Sequence, residues 1–246
     1  KISQHNNERT LIKILNYNLD LFLKEDLQVK ANLLIKNVTN HSLTNLQLTL
    51  HENFLVKEIK IKGYNLNFNR NMNYLIINLN EPLLPREEIY VKIIYKGDIE
   101  LDGIGRKAIF IKPGLVMLPE YIAWYPLAGH QKIAEVIDNY DLLFKPNYQS
   151  AMFDLKIKSA DIVYSNIPTV NFKQEQKYFY SELKGKNQGV YLLSSNLLKE
   201  YSIGNCRVIA PLVFKEKLPD LVTFLNQTTL NKKYETILIC PICLNW

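Results

Sequence analysis

From Asn16 to Asn37 apolar and polar residues alternate with a period of two, in two runs joined by the polar corner Lys24-Glu25-Asp26. Tyr17, Leu19, Leu21 and Leu23 share one face of the first run, and Asn16, Asn18 and Asp20 share the other. In the second run Val29, Ala31, Leu33 and Ile35 alternate with Gln28, Lys30, Asn32 and Lys36. Successive side chains of a strand point to opposite faces, so this spacing predicts two strands, each with one buried face.

The same period returns further on. Leu46, Leu48 and Leu50 are spaced by Gln47 and Thr49, and Val56, Ile59 and Ile61 follow among lysines. The Asn-rich stretch from Asn65 to Asn73 reads as a loop after Gly63. Leu75, Ile77 and Leu79 predict a strand ended by Pro82 and Pro85, and Ile89, Val91, Ile93 and Tyr95 another that runs to Gly97. Short strands joined by short polar turns predict an all-β fold, mostly an antiparallel saddle or sandwich. A looser region from Asp98 to Leu127 holds a short strand at Ala108 to Ile111 and the densest aromatic cluster, Leu118 to Pro126. Strand pattern resumes at Ala151 to Ile157, Ile162 to Tyr164, Tyr178 to Tyr180, Val190 to Leu193 and Arg207 to Ala210, with Gly185 and Gly189 flanking an expected hairpin.

After about Lys215 the period changes. Leu218, Leu221, Val222 and Leu225 fit a short helix with Pro219 and Asp220 in its first turn, and a short strand follows over Thr236 to Cys240. The change predicts a boundary, with residues 1–215 as a β-domain and 216–246 as the incomplete start of a second domain.

Composition narrows the classes. Of 246 residues 47% are hydrophobic and 22% charged, enough for a globular core. The opening Lys1-Ile2-Ser3-Gln4-His5 carries neither an initiator Met nor an apolar leader, so the expectation is a piece of a longer protein. No apolar run approaches the roughly 18 residues that span a bilayer. The net charge is +6, but the lysines fall on the polar beats of strands, as at Lys57, Lys60, Lys62, Lys156 and Lys158. That pattern describes a solvated sheet face rather than one basic stripe, and no nucleic-acid partner is expected. Cys206, Cys240 and Cys243 are too few for a disulfide framework. The C-x-x-C of Cys240 and Cys243 lacks a second ligand pair, so core cysteines are the expected reading. Asn37-Val38-Thr39, Asn40-His41-Ser42 and Asn226-Gln227-Thr228 match the glycosylation pattern, which a chain this rich in Asn produces by chance. Ser194-Ser195 sits in no G-x-S-x-G elbow, and no phosphate-binding loop occurs.

Tyr17-x-Leu19-x-Leu21 followed by Val29-x-Ala31-x-Leu33-x-Ile35-Lys36-Asn37 resembles the amino-terminal β-domain of the aminopeptidase N family of zinc peptidases. Leu46-x-Leu48-x-Leu50 with Val56-x-x-Ile59, Leu75-x-Ile77-x-Leu79-x-x-Pro82-Leu83 and Val91-x-Ile93-x-Tyr95-x-Gly97 are similar to that domain too. Trp124-Tyr125-Pro126 looks most like a divergent branch in which such a module is fused to membrane permeases of ABC transporter type. The resemblance implies a saddle of sheets, with the zinc site in a following, catalytic-like domain that would be a partner. That site needs His-Glu-x-x-His, whose two histidines lie one helical turn apart. The four histidines are His5, His41, His51 and His130, and His51-Glu52-Asn53-Phe54-Leu55 ends in Leu. No cofactor is therefore expected in this chain, and zinc only in the parent protein.

In the family the amino-terminal domain lends an acidic or amide side chain that holds the substrate's free α-amine. Glu120 is the matching candidate, with Tyr121, Trp124 and Tyr125 beside it as substrate-binding residues. The alternatives are a solvent-facing glutamate in a loop and an interdomain aromatic core. The expected function is a non-catalytic β-module of a peptidase or permease that contributes to peptide or partner recognition. Its expected place is the extracytoplasmic face of a membrane, beside membrane-embedded segments of the same chain, with the cytoplasm as the alternative. Two other readings remain: the cleft domain of an active zinc aminopeptidase, and a generic β-sandwich binding domain.

Overall fold

Local alternation translates directly into strands. The computed structural model describes residues 10–103, 106–109, 111–112, 114–131, 149–203, 206–211 and 236–238. By Cα proximity the chain divides into two compact units, 1–193 and 194–246.

In the first unit the leading strands are β1 (Ile12–Leu23), β2 (Leu27–Asn37), β3 (Leu43–Thr49), β4 (Leu55–Ile61), β5 (Tyr64–Asn65), β6 (Phe68–Asn71), β7 (Tyr74–Leu83) and β8 (Glu88–Gly97). Short strands follow: β9 (Glu100–Gly103), β10 (Arg106–Ile109), β11 (Ile111–Lys112), β12 (Leu115–Leu118) and β13 (Leu127–Ala128). The unit closes with β14 (Ala151–Ser159), β15 (Val163–Ser165), β16 (Thr169–Glu175), β17 (Tyr178–Asn187) and β18 (Leu192–Ser194), whose last residue already counts to the second unit. Eight strands form the main sheet in the order β16-β17-β14-β1-β2-β8-β4-β5, and β13-β3-β7-β6 and β11-β12-β18-β15 form two smaller sheets. The fold is all-β and mostly antiparallel, as the alternation predicts. Within the main sheet β1 and β14 run parallel.

One face of the central strands of the main sheet is apolar. Tyr17, Leu19, Leu21, Leu23, Val29, Ala31, Leu33 and Ile35 are all buried, and they join Leu46, Leu48, Leu75 and Ile77 of the smaller sheet in one core cluster. Burying each leucine, isoleucine or valine of this set is worth about 1.5–3 kcal/mol. Two breaks in the period have a structural cause. Ile14 and Tyr17 are three residues apart yet both are buried, because a bulge at Leu15 shifts the register between β1 and β2. A second shift between Val56 and Glu58 does the same for Val56 and Ile59.

Three local expectations are corrected. Pro82 does not end its strand: β7 continues to Leu83, and Pro82 falls where the β3–β7 register shifts, a place where a missing N–H is tolerated. The Asn65 to Asn73 stretch is not a plain loop, since β6 pairs with β7 across a tight turn with Met72 at φ 51°. Gly185 flanks no hairpin. It lies inside β17 opposite Phe153, and a Cβ there would sit 3.1 Å from Pro168 Cδ.

The glycosylation pattern at Asn37 also resolves. Its side chain is fully buried, and Nδ2 donates to the carbonyls of His41, Leu83 and Leu84 at 2.8, 3.1 and 3.0 Å. Oδ1 accepts from Thr39 N and Oγ1. The amide is a corner brace.

In the second unit β19 (Leu198–Ile203) pairs antiparallel with β20 (Cys206–Pro211), and β21 (Thr236–Leu238) runs parallel to β20. The helix expected from Leu218, the boundary expected near Lys215, and Cys240 and Cys243 lie outside the described residues. Among the described residues no helix is long and apolar enough to cross a membrane.

Candidate functional site

The aromatic cluster is a turn held against the inner face of the main sheet. After β12, Pro119 is extended and Glu120–Ile122 make one short 3₁₀ turn. Ala123 then takes a left-handed conformation with φ 51° and ψ 46°, which redirects the chain into Trp124 and Tyr125. A non-glycine residue in that region is uncommon, and here the surroundings dictate it. Ala123 O accepts from His51 N at 3.0 Å. Trp124 O accepts from the Tyr95 hydroxyl, and Pro126 O from the Tyr17 hydroxyl, each at 3.0 Å. The tyrosines that secure the turn thus come from β1 and β8, the strands whose alternation dominates the sequence.

Trp124 and Tyr125 are buried, at 0% and 1% exposure. Trp124 Nε1 donates to Val190 O at 3.1 Å, and Val190 N donates to Tyr125 Oη at 3.2 Å. The Tyr125 ring meets Tyr17 edge-on at 5.3 Å and Trp124 at 4.8 Å, while Tyr17 stacks on Phe153 at 4.7 Å. Burial pushes the phenols of Tyr17, Tyr95 and Tyr125 well up; for Tyr125 the Glu120 charge adds to this, while the bond from Val190 N opposes it. These hydroxyls stay protonated at neutral pH. They serve as anchors, and none is a base.

Glu120 and Tyr121 keep part of their surface in solvent. Gly189 permits the fit, because a Cβ on it would lie 3.0 Å from Glu120 Cβ and 3.5 Å from the Tyr125 hydroxyl. The four residues named from the sequence therefore divide. Trp124 and Tyr125 belong to the core of the first unit, and Glu120 with Tyr121 forms the accessible part of the turn.

His51 follows β3 and is 4% exposed. Its Nδ1 accepts from Asn53 N at 3.3 Å, which requires the neutral ring. Arg70, hidden in the Asn-rich stretch, clamps this corner by donating to the carbonyls of Leu50, His51 and Phe54. No periodicity marks Arg70, because its task is set by a chain crossing. Burial foremost, then the Arg70 charge, lowers the His51 pKa to about 4. An ordinary histidine in the unfolded chain protonates near pH 6.5, so the unfolded state binds the extra proton first. Stability is thus full above about pH 6.5 and falls as pH drops toward 4. About 2 kcal/mol should be gone by pH 5, since each pKa unit is worth roughly 1.4 kcal/mol. Urea unfolding at pH 7 and pH 5 checks this, and His51→Gln should remove that part of the slope.

Among the described residues no three His, Cys, Asp or Glu side chains gather as a metal would need. His51 is buried in a corner clamped by the Arg70 cation and, among the described residues, belongs to no such cluster.

No known family profile matches the chain, and no curated protein matches it by sequence. Solved structures do. A crystal structure of an M1 zinc metallopeptidase from Deinococcus radiodurans superposes with a TM-score of 0.62 at 15% identity, covering 92% of this chain and 55% of that one. A mutant of that enzyme bound to a Tyr-Ser-Ala substrate gives 0.60 at 14% identity, with 82% and 48% covered. Yeast LTA4 hydrolase in complex with bestatin gives 0.59 at 14% identity, with 97% and 40% covered. The chain has the fold of the amino-terminal β-domain of M1 zinc metallopeptidases, and it spans about half the length of the M1 enzymes it matches.

Proposed function

We propose that the chain is the non-catalytic β-module of an M1-type peptidase-like protein, and that it contributes the Glu120 turn to recognition of a peptide's amino end. The observation that carries this reading is the fold likeness over 92% of the chain, combined with a sequence that lacks His-Glu-x-x-His. Glu120 supports the finer part. It sits on a turn braced by Tyr17, Tyr95 and Trp124, and the residue keeps part of its surface in solvent. A rigidly held carboxylate suits a charge-assisted bond to an ammonium group. Zinc and the chemistry of cleavage would belong to a following domain. Trp124-Tyr125-Pro126 supports the version in which the parent is a permease and this module stands on the extracytoplasmic side.

The test is direct. In the full-length protein that carries this chain, a peptide with a free α-amine should bind at least tenfold more tightly than its N-acetylated counterpart. Glu120→Ala should abolish that preference without altering thermal unfolding. Equal binding of the two peptides, or an unchanged preference in the variant, would refute the amine-holding role.

A further inference from the structure

The polar face of the main sheet, opposite the aromatic turn, carries a shallow trough of about 710 Å³. Its floor is one continuous row of cross-strand neighbours. Lys184 on β17 faces Asp154 on β14, Asp154 faces Asn18 on β1, Asn18 faces Asn32 on β2, Asn32 faces Lys92 on β8, and Lys92 faces Lys60 on β4. The row has cations at both ends and amides in the middle. Two positions along the strands lies a second row, Met152, Asn16, Leu34 and Tyr90, in which Tyr90 is 68% and Met152 40% exposed.

The charges of the first row are not balanced. Four lysines line the trough, Lys60, Lys62, Lys92 and Lys184, against the single aspartate Asp154. Lys60 and Lys92 are like charges placed directly opposite, an arrangement that costs stability on a sheet. Among the described residues Glu58 is the carboxylate that both reach, at 2.7 Å from Lys60 and 3.7 Å from Lys92. Lys184 reaches Asp154 at 3.4 Å, and Lys62 reaches the exposed Glu81 only at 3.9 Å. The row on the other side differs. Glu182, Lys156, Asp20 and Lys30 alternate in sign and so neutralise one another. A solvated face needs only the second kind of row.

We infer that this trough docks an acidic polypeptide segment in extended form, independently of the amine-holding role proposed for Glu120. Neighbouring strands are about 4.8 Å apart, so Lys184 and Lys92 stand about 19 Å apart. An extended chain advances about 3.3 Å per residue, so carboxylates roughly six residues apart meet Lys184 and Lys92. Asn18 and Asn32 lie between and offer donors and acceptors to the backbone of that segment. Met152, Leu34 and Tyr90 take apolar side chains along its other edge. Nucleic acid suits the trough less well. Asp154 and Glu58 would oppose phosphates, and Tyr90 is the one exposed aromatic ring in the lining.

The experiment is fluorescence anisotropy with a labelled ten-residue peptide carrying two glutamates six residues apart, separated by leucine and serine. Its controls are the same peptide with glutamine for glutamate and a single-stranded oligodeoxynucleotide. The acidic peptide should bind at least tenfold more tightly than the glutamine peptide and weaken with added salt. Lys92→Glu combined with Lys184→Glu should weaken it at least tenfold, with unchanged circular dichroism and thermal unfolding, and Tyr90→Ser severalfold. Binding that is indifferent to both substitutions, no binding of the acidic peptide, or tighter binding of the oligonucleotide would overturn the inference.

Discussion

Trp124→Ala is expected to remove roughly 3–5 kcal/mol from the stability of the first unit, the range for deleting a fully buried aromatic side chain. Two losses combine here. The cavity falls inside an edge-to-face cluster, where Tyr125 loses its 4.8 Å partner. Val190 O also loses the indole N–H that satisfies it at 3.1 Å. An acceptor left buried without a partner costs about 1–3 kcal/mol, so Trp124→Phe should recover part of the volume but not the bond and fall between. Urea unfolding followed by far-ultraviolet circular dichroism measures both. Glu120→Ala, on the accessible side of the same turn, should stay within about 0.5 kcal/mol of the parent. A Trp124→Ala loss below about 1 kcal/mol would show that the turn is no part of the core.

Gly97→Ala should be nearly as severe, at about 3 kcal/mol or more, for a different reason. Gly97 ends β8 at φ 157°, and a Cβ there would lie 2.5 Å from the Asn53 carbonyl oxygen and 3.1 Å from Phe54 Cα. Both obstacles are backbone, so no side chain can swing aside. Nor can the loop retreat, because Arg70 holds the carbonyls of Leu50, His51 and Phe54, and Phe54 packs against Tyr95 at 5.3 Å. Overlap that neither partner can relieve is paid for in strain or unfolding. Gly63 supplies the control. It has φ 86° but nothing within 4 Å, so Gly63→Ala carries only the backbone term of about 1–2 kcal/mol. Equal losses at the two positions, compared by thermal unfolding, would show that contact with the Asn53 loop does not govern Gly97.

The aromatic turn shows where sequence reading gains and loses. Leu118 to Pro126 stands out by composition alone, and it is where the structure concentrates its buried rings. An aromatic core at Trp124 and Tyr125 and a solvent-facing Glu120 were already among the sequence's own alternatives, but what holds the rings there was not legible, because Tyr17 and Tyr95 come from strands about thirty to a hundred positions away. Arg70 escaped notice for the same reason: a guanidinium among asparagines acquires its role only when β6 is brought beside the corner after β3.

The alternation from Tyr17 to Ile35 and from Val91 to Tyr95 by itself determined which faces are buried, since a period of two has one solution in a sheet. The missing His-Glu-x-x-His likewise settled by sequence alone that this chain carries no such zinc motif. Tertiary structure decided the rest. The bulges at Leu15 and between Val56 and Glu58 let residues three apart face the same core, a displacement that depends on the partner strand's register. The parallel pairing of β1 with β14 joins segments more than a hundred residues apart, and it is what places Asp154 beside Asn18. The lysines are legible as polar beats in the sequence. Only the cross-strand register leaves Lys184 at one end of a row and Lys92 with Lys60 at the other, because spacing along a strand says nothing about its neighbours.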